Sequence, residues 1–236
     1  MNKTSLKKNI ILGILFFLPV IFLLFLYPSK HNYNTLDIID DSILELKNFS
    51  DSNVKFQGNI TILNFVGDKP LNKSTAALNL KELIYDKFLG FKKFQVVTIA
   101  TTDSSDELQE LRKQLLDYDA LKYWKFITAT PDQINTIYNS LNATKELDYN
   151  LATDHVFIID TELNQRGRLD DRTDNELVKQ SEVYGLSSYN CIEVAEIKNK
   201  MSEDLRILFT EYRQKRKGNF DSTTRRAQDL KNNEMP

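Results

Sequence analysis

Apolar and polar positions divide this chain into a solid apolar block, a polar stretch, a patterned centre and a charged end. Residues 10–27 read IILGILFFLPVIFLLFLY, apolar throughout. At helical rise this run spans about 27 Å, close to the thickness of a hydrocarbon core. Pro19 sits mid-run and would kink the helix rather than abolish it. Residues 28–57 are polar, with one short amphipathic piece at 36–46, and read as a linker. Residues 59–66 (NITILNFV) are rich in β-branched and aromatic side chains and predict a strand, ended by Gly67 and Asp68. Ala76, Leu80, Leu83, Ile84 and Phe88 recur at helical spacing, so a helix is expected over 74–88, with Gly90 as its stop. Residues 94–100 (FQVVTIA) are almost wholly apolar, as a parallel strand buried on both faces would be.

The second half carries its own start signals. Ser104 and Glu107 have capping-box spacing ahead of a stripe of Leu108, Leu111, Leu115 and Leu116. Residues 124–128 predict a short strand. Thr130, Pro131 and Gln133 then open a helix whose apolar face is Ile134, Ile137, Tyr138 and Leu141. After a polar loop at 142–154, HVFIID at 155–160 predicts a strand, 164–167 a turn, and Arg168 with Leu169 the start of a return strand. Polar sequence follows to about 189. Met201, Leu205, Leu208, Phe209 and Tyr212 form the stripe of a final helix. Residues 218–236 have little to bury and are expected to be disordered.

Alternating strands and helices imply parallel pairing through right-handed crossovers, and the closing hairpin adds antiparallel pairing. The expected fold is α/β, a thioredoxin-like mixed sheet flanked by helices and preceded by one amino-terminal transmembrane helix. The expected domains are a cytoplasmic amino end (1–9), an anchor (10–27), a linker (28–57), the thioredoxin-like domain (58–217) and the tail (218–236).

Charge refines the topology. Lys3, Lys7 and Lys8 precede the apolar run, whereas Lys30 is followed by Asp37, Asp40 and Asp41. This bias puts the amino end in the cytoplasm and the domain in the periplasm, as in a single-pass inner membrane protein. A cleaved signal peptide is the competing reading. It would have a shorter run and small residues at a cut site, and neither is present. The net charge of −2 gives no composition-wide case for nucleic acid. With Cys191 as the single cysteine, no disulfide can form within the chain.

Four stretches resemble the Sco/SenC family: ITILNFVGDKPLNK (60–73), YWKFITATPDQI (123–134), ATDHVFIIDTELNQRGRLDD (152–171) and EIKNKMSEDLRILFTEYR (196–213). Members of that family are membrane-anchored, thioredoxin-like proteins that assist copper delivery to cytochrome oxidase. They bind copper through two cysteines and a histidine. The resemblance implies that Lys69 and Lys73 occupy the cysteine positions. It places His155 at the ligand histidine, with Val156 where serine is usual.

That substitution removes the chemistry. Copper(I) wants soft sulfur donors, and an ammonium offers no lone pair. No metal or other cofactor is therefore expected, copper being the alternative, and no catalytic residue is assigned. His155 reads as a residual ligand or as a strand-end residue held by hydrogen bonds. Cys191 reads as an intermolecular thiol or as an idle buried one, since exchange needs an attacker and a resolving partner. Lys69 and Lys73 could attract an anion or an acidic partner at a helix start, or simply solvate their loop. Asp160, Asp170, Asp171 and Asp174 lack calcium-loop spacing and read as a solvated acidic edge. Arg213, Lys215, Arg216 and Lys217 read as a solvated helix end with a possible affinity for anionic lipid. The expected role is a non-enzymatic accessory or assembly factor for a respiratory oxidase, acting by protein docking. Two alternatives stand beside it: a copper or thiol protein completed in trans through His155, Cys191 or a partner's cysteines, and a generic extracytoplasmic binding module.

Overall fold

The computed structural model describes residues 3–26, 35–46, 54–116 and 121–217, with side chains of the first helix described at Lys7 and 11–22. The chain divides into two compact units. The first contains helix α1 (Lys3–Leu26), which runs through Pro19 without interruption. Among the described residues no helix is long and apolar enough to cross a membrane. Lys30, His31 and the tail expected to be disordered at 218–236 lie outside the described residues.

The second unit, Thr35–Phe220, is built on one mixed sheet. Its strands are β1 (Asp37–Asp40), β2 (Ile60–Gly67), β3 (Phe94–Thr101), β4 (Trp124–Ala129), β5 (Ala152–Ile159), β6 (Gln165–Gly167) and β7 (Tyr189–Asn190). The order is β1-β6-β5-β2-β3-β4, with β7 pairing β5. β2, β3 and β4 are parallel, while β5 runs against β2 and β6 against β5. The helices are α2 (Ser74–Leu80), α3 (Asp86–Phe88), α4 (Ser105–Leu115), α5 (Pro131–Tyr138), α6 (Asp174–Val178) and α7 (Ser202–Lys217).

Period-two alternation sorts the strand side chains into two cores. Ile60, Ile62, Val96, Val156 and Ile158 meet Leu80, Leu111, Leu205 and Leu208 from α2, α4 and α7. Leu63, Phe65, Val97, Ile99 and Phe157 meet Ile134 and Ile137 from α5. Every position of β2 and β3 is buried, which is why both read as near-continuous apolar runs.

Four local expectations are corrected. The described parts of the stretch read as a linker, 35–46 and 54–57, belong to the domain. β1 pairs antiparallel with β6 and supplies it with an edge partner, and Leu36, Ile43, Leu46, Val54 and Phe56 are buried. The Glu45 carboxylate holds this segment by accepting the N–H groups of Phe56 and Gln57, both at 2.8 Å. Ser104 does not cap α4 through its side chain. Its buried hydroxyl donates instead to the Asp68 carbonyl at 2.7 Å and meets the Thr101 hydroxyl at 2.9 Å, tying the end of β2 to the end of β3. The helix expected over 74–88 begins with a 3-10 turn at Pro70–Lys73 and passes through a π stretch at Lys81–Tyr85. The return strand starts at Gln165 rather than Arg168, because the Asp160 carboxylate closes the turn by accepting the N–H groups of Glu162 and Asn164. The capping box of Thr130 and Gln133 is present as the spacing predicts.

Candidate functional site

The site lies where β2 ends and the chain turns into the Pro70–Lys73 turn. Gly67 makes this turn possible. Its φ is +56°, and a Cβ there would come within 1.8 Å of the Asn150 carbonyl oxygen. The loop after β2 therefore lies directly on the loop before β5, sealed by Asp68 N–H donating to Asn150 O at 2.8 Å. Pro70 is buried beneath it.

Lys69 is exposed at the tip of this loop, and among the described residues it makes no ion pair. Lys73 is different. Its ammonium lies 3.2 Å from Asp154 Oδ1 and 3.6 Å from Asp148 Oδ2. Asp148 is itself oriented by accepting the N–H groups of Asn150 and Ala152 on Oδ1. The two lysines thus have separate environments: one is solvated, the other bridges β2's loop to the start of β5. That is neither the shared basic loop nor the pair of solvated lysines considered above.

His155 follows Asp154 on β5 but meets a different partner. Its Nδ1 lies 3.1 Å from Ser188 Oγ, whereas its Nε2 is buried with no hydrogen-bond partner. Burial, helped by Lys145, lowers the pKa of the ring against the opposing pull of Glu196 and Asp154, so the neutral imidazole is favoured. The structure brings Lys73 to Asp154, not to His155.

Cys191 follows β7 and is 1 % exposed. Its N–H donates to the Asp154 carbonyl at 2.8 Å, and its own carbonyl accepts from Asn79 Nδ2 at 2.9 Å. Burial, with Asp154 and Glu196 nearby, pushes the thiol well above its ordinary range. A thiol this deeply buried cannot reach another chain in this conformation. Among the described residues no cluster of three or more histidine, cysteine or acidic side chains could hold a metal ion. A Sco-type copper centre does not fit: one sulfur is buried, Lys73 is occupied by carboxylates, and a lone imidazole remains.

The principal feature missed from the sequence is a buried charge network between β6 and α7. Arg166 bonds Asp160 at 2.9 Å and Glu211 at 2.7 Å. Arg168 grips Asp204 through Nε and NH2, reaches Asp171 at 3.1 Å, and Tyr189 donates its hydroxyl to Asp204 at 2.7 Å. Lys200 also pairs with Asp171. Asp160 and Asp171 are therefore not on a solvated edge. Asp170 and Asp174 do lie toward solvent, Asp170 pairing with Arg172 at 2.8 Å. The available signal was two arginines at strand spacing opposite two acids one heptad apart on the last helix.

No family model matches the chain, and no curated protein matches it. Among solved structures it is similar to a SCO1/SenC family lipoprotein from Bacillus anthracis at 10% identity, covering 75% of this chain and 99% of that one with a TM-score of 0.49. It is similar to BsSco, described as a member of the Sco family of cytochrome c oxidase assembly proteins, at 11% identity, 74% and 97% coverage and a TM-score of 0.45. A yeast mitochondrial 1-Cys peroxiredoxin is similar at 12% identity, 80% and 84% coverage and a TM-score of 0.42. By its own strand order, two parallel crossovers followed by an antiparallel hairpin and a closing helix, the domain has a thioredoxin-like mixed α/β fold.

Proposed function

We propose that this chain is a membrane-anchored, Sco-like accessory or assembly factor that docks protein partners and carries no redox or copper chemistry of its own. The observation that carries the reading is the ion pair of Lys73 with Asp154. Where a thiol protein would keep an exposed, reactive sulfur, this chain has a cation neutralised by carboxylates. That contact joins the loop after β2 to the start of β5 and puts no sulfur donor at the position where copper(I) or thiol exchange would need one.

Exposed apolar side chains flanking Asn79 and Cys191, whose N–H bonds the Asp154 carbonyl, support a docking role. Leu78 precedes the Asn79 that bonds Cys191, and Ile192 and Val194 follow that cysteine. All three are exposed. The respiratory oxidase as partner rests on the resemblance of the four sequence stretches. The membrane anchor rests on the apolar run at 10–27, and the periplasmic orientation on the lysines before it.

One observation favours a second reading. The Nε2 of His155 is buried without a hydrogen-bond partner, and in the tautomer whose Nδ1–H donates to Ser188 it carries a lone pair that a partner's sulfur could join in a donor set in trans once docking uncovers the ring.

The deciding experiment is copper(I) binding to the purified full-length chain, alone and with a soluble dithiol. No stoichiometric binding in either arm is expected. Stoichiometric binding by the chain alone, lost in His155→Ala, would overturn the metal-free reading. Binding that appears only with the dithiol and needs His155 would establish the second one.

A further inference from the structure

At the opposite end of β2 from Lys73, the sheet leaves a cleft of about 790 Å³ between the 90–93 turn, the turn after β5 and the last turns of α7. Its floor is apolar. Phe91 stacks on Phe209 with ring centroids 4.0 Å apart and an interplanar angle of 17°, and Ile60 lies beside them. Its rim is basic. Lys92 and Lys93 stand on one side, Arg213 and Arg216 on the other. Among the described residues none of these four forms an ion pair. Lys215 is already engaged, 2.9 Å from Glu211 and 5.0 Å above the Tyr212 ring. Glu162 is the one acidic side chain among the described lining residues. The Tyr212 hydroxyl is buried in the wall beside Thr161 without a hydrogen bond of good geometry.

We infer that this cleft is a docking site for an acidic peptide segment carrying one aromatic or large aliphatic anchor. The site is independent of the Lys73 region and of the function proposed above. Charge complementarity selects an acidic occupant: among the described residues four cations without ion-pair partners face a single carboxylate, and such a rim steers and orients an anionic chain. Concavity selects a peptide over a bilayer. Ile60 and Phe209 are 2% and 6% exposed, so a flat headgroup surface would leave the apolar floor untouched, whereas an inserted side chain fills it. The spread of the rim over two separate elements selects a chain over a small anion. Carboxylates on both sides of one anchor can meet both rims at once.

The test is titration of the full-length chain, held in zwitterionic nanodiscs, with a fluorescent peptide Asp-Glu-Phe-Asp-Glu. Controls replace its Phe by Ala, or its acidic residues by Lys. Saturable binding of the first peptide is expected, weakened at least tenfold by either control and at least tenfold by the Lys93→Glu, Arg213→Glu double variant. Both substituted positions are exposed, so an unchanged unfolding midpoint should show that the variant remains folded. Three results would overturn the proposal: no saturable binding, equal binding of the Phe and Ala peptides, or binding to anionic vesicles without binding of the peptide. Binding unchanged in the double variant would place the peptide elsewhere and overturn it too.

Discussion

The ammonium of Lys73 sits 3.2 Å from Asp154 Oδ1, joining the first turn after β2 to the opening of β5. This contact occupies the crossing point of the fold, where the loop after the first core strand meets the loop before the antiparallel hairpin. It does structural work with charge at the place where the resemblance would put sulfur. His155, one residue further on, is hydrogen-bonded to Ser188 and contributes nothing to the crossing.

The energetic value of that contact should be small and measurable. The side chains are 15% and 40% exposed, so solvent screens the pair. Lys73→Met and Asp154→Asn should each destabilise the domain modestly. The double-mutant cycle should return a coupling of about 0.2–1 kcal/mol that shrinks in high salt. Denaturant unfolding of the four proteins measures it. A coupling indistinguishable from zero at low salt would mean that the two groups do not interact in solution.

Gly67 should be far less tolerant. Its positive φ strains any other residue, and the Asn150 carbonyl fills the space where a Cβ would sit. Gly67→Ala is expected to cost more than about 1 kcal/mol, because the backbone preference and the clash add. The control is Gly58→Ala. That glycine also has positive φ, but nothing lies within 4 Å of its Cβ position, so only the backbone part should appear. Thermal unfolding of the two variants separates the terms.

Much of the sheet was readable because its strands are buried on both faces. β2 and β3 announce themselves by continuous apolar runs, and α5 by Thr130, Pro131 and Gln133. What escaped detection was set by long-range partners. β1 has too few residues to show a period, and its strand state depends on the open edge of β6, more than a hundred positions away. Ser104 has the right spacing for a cap, but the Asp68 carbonyl competes successfully for its hydroxyl. The candidate site was half legible. A single sequence shows Lys69 and Lys73 as equivalent, and only the closure of the 148–154 loop distinguishes them.

Cys191 should behave as a core residue. At 1% exposure, with its thiol pKa raised by burial, it should resist a thiol reagent in the native protein and react once denaturant unfolds the domain. Non-reducing gels of native membranes should show no species that depends on Cys191. Rapid native labelling, or a mixed disulfide lost in Cys191→Ser, would contradict this and revive completion in trans.

Arg166 should be the most costly of the charged side chains to remove. It is buried between Asp160 and Glu211, and deleting it leaves the Asp160 carboxylate without a cation and Glu211 with Lys215 alone. Arg166→Met is expected to cost about 3–5 kcal/mol. Replacing Asp160 and Glu211 by Asn and Gln in the same background should recover part of that loss by removing the stranded charge. Urea unfolding of the single and triple variants tests this, and no recovery would locate the cost in packing instead.

The pH dependence of stability should resolve two windows. Burial alone would raise the Asp160 pKa, but hydrogen bonds from Asn164, Arg166 and the Glu162 N–H outweigh it and hold the carboxyl below its ordinary 3.8. The folded state thus keeps Asp160 ionised where the unfolded chain takes up a proton. Its stabilisation is complete above the unfolded value and is lost as pH falls through the folded one. His155 has the same sign at higher pH. Burial, with Lys145, lowers the ring below its ordinary 6.5, while Glu196 and Asp154 oppose that shift. The unfolded chain therefore binds the proton first, and stability should start to fall as pH drops below 6.5, with a slope of at most about 1.4 kcal/mol per pH unit. His155→Gln should abolish the slope in the upper window and leave the acid window intact, whereas Asp160→Asn should change the acid window, to which Glu176 and Asp204 also contribute, and leave the upper one intact. Unfolding free energies measured from pH 8 to pH 3 on the three proteins separate the two groups. A wild-type curve that is flat between pH 7 and pH 5 would show that the imidazole is not buried as described.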